Sequence, residues 1–372
     1  MSDLASALAL TRVSTQLPLS WYFDPKVAEI ENKLLFDRGP GYVGHVQMAP
    51  NAGDYRVLSE LTGSAWSLVN NEGRVDLVSN VCRHRQALML EGAGTLPGGT
   101  ITCPVHRWSY DSHGRHLGAP QFPEAPCLNL PRRELQQWNG MLFRGLRNVA
   151  KDFERLGVAR DLDFDGYVLD KVEATEYPFN WKTFIEVYLE DYHVAPFHPG
   201  LGQFVTCDDL KWEFGDWYSV QTVGVNQALG KPGSQAYAKW HEQVLKFRDG
   251  VPPRHGAIWL TYFPNVMVEW YPNVLVISTL HPRGPEKCVN VVEFYYPEEI
   301  VLFEREYVEA ERKAYHETAR EDEEICVRMT EGRRALLLDG REEHGPYQSP
   351  MEDGMVHFHE FIQREMQGAI PG

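Results

Sequence analysis

Four side chains able to hold soft or borderline metals lie in two short pairs. The first is Cys82-Arg83-His84, and 18 intervening residues later comes Cys103-Pro104-Val105-His106. Zinc fingers pair Cys with Cys and His with His at short spacings. Here each pair mixes one thiolate with one imidazole. That division suits a [2Fe–2S] centre in which one iron takes both thiolates and the other takes both imidazoles. Neutral imidazole ligands make such a cluster less negative and raise its potential, so it accepts electrons easily from a ferredoxin or flavin reductase. A structural zinc, or two unconnected coincidences, is the plainer reading, but it does not account for four ligands at this gap.

A second set of donors follows. Glu186, Glu190 and His193 recur at helical spacing and share a face of a helix expected over Trp181–Tyr192. Pro196 and Pro199 are expected to break that helix after about Val194, so that His198 folds back from a loop toward a metal held by His193. Two His and one carboxylate on one side of an iron leave positions open for oxygen and substrate, as in Fe(II) oxygenases. The carboxylate must come from elsewhere, and Glu321-Asp322-Glu323-Glu324 offers several. For Glu323 and Glu324 a solvated helix face is the better reading. Spacing leaves both Glu321 and Asp322 open.

The elements that must position these residues read as an α+β chain. A helix is expected over Pro25–Phe36. From 41 to 150 short strands alternate with turns, at Tyr42–Gln47, Tyr55–Leu61, Ala65–Val69, Arg74–Val78 and Gly140–Arg144. Gly92, Gly94, Pro97, Gly98 and Gly99 let the chain turn between the two Cys/His loops, and Thr100-Ile101-Thr102 delivers Cys103. After a connector at Ala150–Ala159, strands are expected at Lys211–Phe214, Tyr218–Val225, Ala257–Phe263, Val266–Trp270, Val274–His281 and Val289–Tyr296. Helices at Glu298–Arg320, Glu323–Leu338 and Gly354–Met366 close the chain. The division is therefore an N-terminal helical segment (1–40) packing on the catalytic domain, a small β domain (41–150) and a catalytic domain (151–372).

At 372 residues the chain can bury two or three cores. A formal charge of −16 argues against nucleic acid as a partner, and no apolar run is long enough to span a membrane. No basic residue precedes the apolar stretch of Met1–Leu10, so no signal peptide is expected. Cys127, Cys207, Cys288 and Cys326 show no paired spacing, which fits a reducing cytoplasm.

With Arg85 after the first His and Trp108 after the second, the first motif resembles a Rieske domain. The order CxH…CxxH, Asn180-Trp181-Lys182, Glu190-x-x-His193-x4-His198 and Glu321-Asp322 before a C-terminal helix resembles the α subunit of Rieske non-heme iron oxygenases, the aromatic-ring-hydroxylating family, over the whole chain. The resemblance implies a Rieske domain plus a helix-grip catalytic domain, an antiparallel sheet wrapped around helices. It places the cluster on Cys82, His84, Cys103 and His106, the Fe(II) on His193, His198 and Asp322, and Glu190 as the acid that links a cluster His of one subunit to an iron His of its neighbour. It implies NAD(P)H electrons through a separate reductase, with or without a ferredoxin, and a head-to-tail homotrimer with or without a small β subunit. The implied reaction with O2 is hydroxylation, dihydroxylation or oxidative demethylation of a small organic substrate. An aromatic ring, in aromatic hydrocarbon catabolism, and a quaternary amine are both open as that substrate. An electron carrier, or a zinc hydrolase on His193, His198 and Asp322, is the alternative.

The chain departs from the family pattern at Arg107, where Gly is usual, at Val187, where Asn is common, and at Thr330, where Gln is frequent. None is a ligand. Arg83, Arg85, Arg107 and Arg115, with His113 and His116, make the cluster tip locally basic. Two roles are open for it: docking an acidic redox partner, or pairing with acids such as Glu186 or Asp191 of a neighbouring subunit. Trp259, Tyr262, Phe263, Trp270 and Tyr271 are the aromatic candidates for a substrate pocket.

Overall fold

A computed structural model describes residues 16–59 and 63–369. Met1–Leu10 and the tail of the strand expected at Tyr55–Leu61 lie outside the described residues. The chain divides into two compact units. One spans Pro40–Glu154, and the other joins the described residues up to Gly39 with those from Arg155 on.

The smaller unit is built from short antiparallel strands. Strands β1 (Tyr42–His45), β11 (Met141–Phe143) and β10 (Gln136–Trp138) form one sheet. A second runs in the order β5 (Ala93–Thr95), β2 (Asp54–Val57), β3 (Trp66–Asn71), β4 (Arg74–Ser79), β9 (Arg132–Arg133). A third is β6 (Thr100–Thr102), β7 (Ser109–Asp111) and β8 (His116–Gly118). Val69, Val78, Ile101, Trp108, Tyr110 and Leu130 close a core around Cys82 and Cys103. The strand expected at Tyr42–Gln47 ends at His45, where the His45 ring accepts the Gln47 N–H and the chain turns into a 3-10 turn, Val46–Met48.

The larger unit holds helix α1 (Pro25–Glu31) and one seven-stranded antiparallel sheet. Its order is β12 (Tyr167–Tyr177), β18 (Cys288–Pro297), β17 (Val274–Pro282), β16 (Val266–Tyr271), β15 (Ala257–Tyr262), β14 (Tyr218–Val225), β13 (Val205–Gly215). The inner strands β15 and β17 are buried along nearly their whole length, which explains their almost continuous apolar sequences. Helix α2 (Trp181–Tyr188) and helix α3 (Gln235–Phe247) both pack on the long helix α4 (Arg305–Leu338), and α5 (Asp353–Met366) lies against β13 and β14. Trp240, Tyr307, Phe204, Phe294 and Tyr296 anchor the main core, each buried large side chain contributing about 1.5–3 kcal/mol.

Three expectations need correction. The break placed between Arg320 and Glu323 does not exist: α4 runs unbroken for 34 residues, since glutamate is a good helix former and this stretch has no Gly or Pro. The helix opened by Asn180 stops at Tyr188, with Leu189 as its C-cap, so Glu190 lies beyond it rather than on a shared face with Glu186. Pro196 sits inside a single helical turn, Val194–Phe197, where a first-turn proline forfeits no intrahelical bond.

Asn180-Trp181-Lys182 is a structural device. The Asn180 side chain caps α2 by accepting from the Lys182 N–H at 2.9 Å and donates to the carbonyls of Tyr22 and Pro285. Trp181 Nε1 donates to Glu31 at 2.9 Å. Lys182 Nζ donates to the other Glu31 oxygen and to the Trp21 carbonyl. Lys182 and Glu31 are essentially inaccessible, so each charge depends on the other. Glu186 is likewise buried, its oxygens taken by Tyr22, Arg333 and His359. Asp191 is also buried within the chain.

Candidate metal centres and their pocket

The two Cys/His loops repeat one backbone pattern. In the first, the Cys82 N–H donates to the Ala87 carbonyl and the Gln86 N–H to the Cys82 carbonyl, at 2.9 and 3.1 Å. In the second, the Cys103 N–H donates to the Trp108 carbonyl and the Arg107 N–H to the Cys103 carbonyl, at 2.8 and 3.1 Å. The fifth residue of each loop takes a left-handed backbone, Gln86 at φ 58° and Arg107 at φ 61°. This turn explains why glycine suits the position of Arg107. Both thiols are buried and neither is in a disulfide. The Nδ1 atoms of His84 and His106 face each other at 3.2 Å, and the Trp108 ring stacks on His84, centroids 5.0 Å apart. Tyr110 Oη stands 3.7 Å from Cys82 Sγ and accepts the Arg83 N–H. Two buried thiols beneath two facing imidazoles fit a cluster that takes sulfur on one iron and nitrogen on the other.

In the larger unit, His193, His198 and Asp322 bring one ligand atom each to within 4.8 Å of one another. His193 Nε2 and His198 Nε2 are 2.9 Å apart. Asp322 Oδ1 lies 3.4 Å from the first and 3.0 Å from the second. Burial alone would raise the Asp322 carboxyl, but hydrogen bonds from the two imidazoles outweigh it and hold the group at about 2. Burial opposes protonation of His193, yet Asp322 and Glu190 lift it to about 10. Imidazoles that hold protons against a carboxylate can exchange them for a divalent ion, so the set fits a metal.

Carboxylates hold both rings from behind. Glu190 Oε1 is 2.5 Å from His193 Nδ1, and its other oxygen accepts the His193 N–H. Glu321 Oε2 is 2.7 Å from His198 Nδ1. Of the two acids left open, Asp322 faces the two convergent nitrogens, and Glu321 meets the opposite nitrogen of His198. Carboxylates placed so fix the tautomer and orientation of a metal-binding ring.

Glu190, His193, His198 and Asp322 line one pocket, of the concave kind that takes small molecules. Of the aromatic candidates, Trp259 and Tyr271 reach it while Tyr262, Phe263 and Trp270 do not. Glu269 and Tyr271 are two apart on β16 and share one sheet face, so Trp270 points away; Trp259 is the cross-strand partner of Glu269. Two buried acids, Glu269 and Glu311, also line the wall, with Tyr188, Tyr237 and Tyr315. No motif singled them out. Glu269 interrupts the apolar run of β16, and Glu311, Tyr315, Thr318 and Asp322 follow helical spacing on α4. Both were signals in the sequence, although only the fold connects them.

A family model described as the ring hydroxylating alpha subunit (catalytic domain) matches residues 155–368. The chain belongs to that family. A model for the Rieske [2Fe-2S] domain matches residues 42–133, so the chain is a Rieske oxygenase. Putrescine 2-hydroxylase of Ralstonia nicotianae is 63% identical over 98% of this chain and 100% of its own length. The carnitine monooxygenase oxygenase subunit of Escherichia coli is 27% identical over 93% of this chain and 92% of its own. A crystal structure of a quaternary ammonium Rieske monooxygenase in complex with L-carnitine aligns with a TM-score of 0.73 at 20% identity, covering 94% of this chain and 95% of that one. The Rieske oxygenase reading accounts for both donor sets, and the electron-carrier and zinc-hydrolase alternatives fall away. Its cofactors are a [2Fe–2S] cluster and a mononuclear iron, supplied with NAD(P)H electrons by a partner reductase or ferredoxin. Among the described residues no helix is long and apolar enough to cross a membrane.

Proposed function

We propose that this Rieske oxygenase hydroxylates a short aliphatic amine or diamine rather than an aromatic hydrocarbon. The observation that carries the reading is the wall of the pocket. It holds His193, His198 and Asp322 together with further buried carboxylates and aromatic rings and, among the described residues, no lysine or arginine. An acidic, aromatic-lined pocket favours a cation, whereas a neutral ring would leave buried acids without a use. The relatives at 63% and 55% identity are both named putrescine 2-hydroxylase, which supports the same class.

In this reading Cys82, Cys103, His84 and His106 hold the cluster, and His193, His198 and Asp322 hold the iron. When bound, the two centres supply stored electrons and oxygen reduction. One oxygen atom enters a C–H bond of the substrate and the other leaves as water, with two electrons from the reductase and two protons from solvent. Glu190 accepts from a ring nitrogen of His193, and a carboxylate can serve a second imidazole at the same time. It is therefore suited to link His193 to the half-buried ring of His84 or the exposed ring of His106 on a neighbouring subunit. That role calls for the head-to-tail homotrimer, since heterologous contacts close into rings. Glu321 orients His198. A cytoplasmic setting completes the proposal, because the cluster thiols must stay reduced until loaded.

The test is oxygen consumption by protein purified without air and supplied with a surrogate reductase, against 1,4-diaminobutane, choline, L-carnitine and naphthalene. Product formation matched to oxygen uptake is expected with the diamine. Coupled turnover with naphthalene alone would overturn the reading.

A further inference from the structure

Glu269 is 3% exposed, and Glu311 is as deeply buried, yet neither has an ion-pair partner among the described residues. A buried carboxylate without a cation is costly, and such groups concentrate where a ligand meets them. The surroundings of Glu269 are built around its two oxygens. Tyr271 Oη donates to one at 2.8 Å, and Tyr315 Oη donates to the other at 3.2 Å. Trp259 Nε1 donates to Tyr271 Oη at 3.0 Å, which holds that hydroxyl in place. Each carboxylate oxygen can accept more than one hydrogen bond, so capacity remains on both. The same aromatic rings offer faces to a cation. On a helix rising about 1.5 Å per residue, Tyr315 lies about 10 Å along α4 from Asp322. Tyr315, which holds Glu269, thus stands about two helical turns from Asp322.

We propose that Glu269, held by Tyr271 and Tyr315 beside Trp259, binds an ammonium group of the substrate amine and so selects the substrate. The proposal rests on the amine reading above and deepens it. A primary ammonium brings three donors to this acceptor site, while a quaternary ammonium brings none. A substrate carrying its own carboxylate meets repulsion from Glu269 once that group has lost its proton. A neutral ring leaves the acids unpaired. The pocket therefore favours a primary amine without an acidic group. Burial raises the Glu269 carboxyl to about 7 against the opposing hydrogen bonds of Tyr271 and Tyr315, so an arriving cation finds a group ready to lose its proton.

The experiment is calorimetric titration of cluster-loaded protein with 1,4-diaminobutane, 1-aminobutane and the uncharged 1,4-butanediol, for the wild type and Glu269→Gln. Loss of a buried charge partner should weaken binding of both amines by about 100-fold and leave the diol unchanged. Diamine affinity in Glu269→Gln within threefold of wild type would overturn the assignment. If Glu269→Gln lacks the cluster absorbance, Tyr315→Phe gives the answer: about fivefold weaker amine binding supports the assignment, and unchanged binding removes it. A wild type that neither binds nor hydroxylates any amine refutes the amine reading itself. A wild type that hydroxylates the diamine while Glu269→Gln binds it equally well refutes only the role of Glu269.

Discussion

His198 is gripped by two neighbouring residues of one helix at its two different nitrogens: Glu321 at Nδ1, 2.7 Å, and Asp322 at Nε2, 3.0 Å. Successive helical residues normally diverge by about 100°. Here a long Glu and a short Asp reach around the same imidazole, which fixes its rotation as well as its tautomer. Asp322→Ala should therefore remove the mononuclear iron while leaving the cluster. Metal analysis should show the loss of one iron per chain with the cluster absorbance retained. Glu321→Gln should keep the site but weaken iron affinity about 10–100-fold, as measured by competition with a chelator.

Glu190→Gln keeps the size of the side chain but weakens the acceptor behind His193. Both metal centres should remain filled, and turnover should fall at least about 100-fold. Single-turnover mixing of reduced protein with oxygen and amine would place the lesion: the cluster should stay reduced in the variant and reoxidise in the wild type.

Lys182 and Glu31 form an ion pair out of reach of water. Glu31→Ala leaves a buried ammonium with only a carbonyl partner and should cost about 3–5 kcal/mol. A lower thermal midpoint is the expected result, with a smaller loss when Glu31 and Lys182 are both replaced by apolar residues.

Arg107 occupies a left-handed backbone position with a bulky side chain. Arg107→Gly relieves a cost of about 1–2 kcal/mol for an L-residue there, partly offset by the greater freedom of glycine in the unfolded chain. The temperature at which the cluster bleaches should rise slightly. A fall would mean that the guanidinium makes a stabilising contact in the assembled enzyme.

Amine affinity should depend on pH through Glu269. The groups facing it are Tyr271 on its own strand, Tyr188 on α2, and Tyr315, Glu311 and Asp322 on α4. With the carboxyl raised to about 7, it is protonated below that pH and a cation must displace the proton. Affinity should fall by up to about tenfold per pH unit below 7 and level off above it, with a further small gain near 8 as Glu311 ionises. The slope should vanish in Glu269→Gln.

The metal chemistry was legible because it depends on residue types at short spacing. Cys82 with His84, Cys103 with His106, and His193 with His198 each lie within a few residues of one another, and local loops suffice to converge them. The strands of the sheet from Tyr218 onward were legible for a similar reason, since long apolar runs between turns have few other fates. Glu190 does meet His193, but the helix expected to carry it ends at Tyr188. The β12 strand was missed because its polar sequence, Asp170, Lys171, Glu173 and Glu176, masks an edge strand whose charges partly pair with Arg305, Arg312 and His316. Glu269 and Glu311 could not be read as a site, because one sits on a strand and the other on a helix 42 positions away. Only the packing of α4 gives them a common pocket.

The uninterrupted course of α4 has a consequence for which carbon is attacked. Between Glu311 and Asp322 there is neither glycine nor proline to absorb a change in length, so the spacing of Tyr315 from the metal ligand works as a fixed gauge. A diamine longer by one methylene should be oxidised at the carbon standing the same number of bonds from the anchored nitrogen. The site of hydroxylation would then be counted from that far end of the molecule.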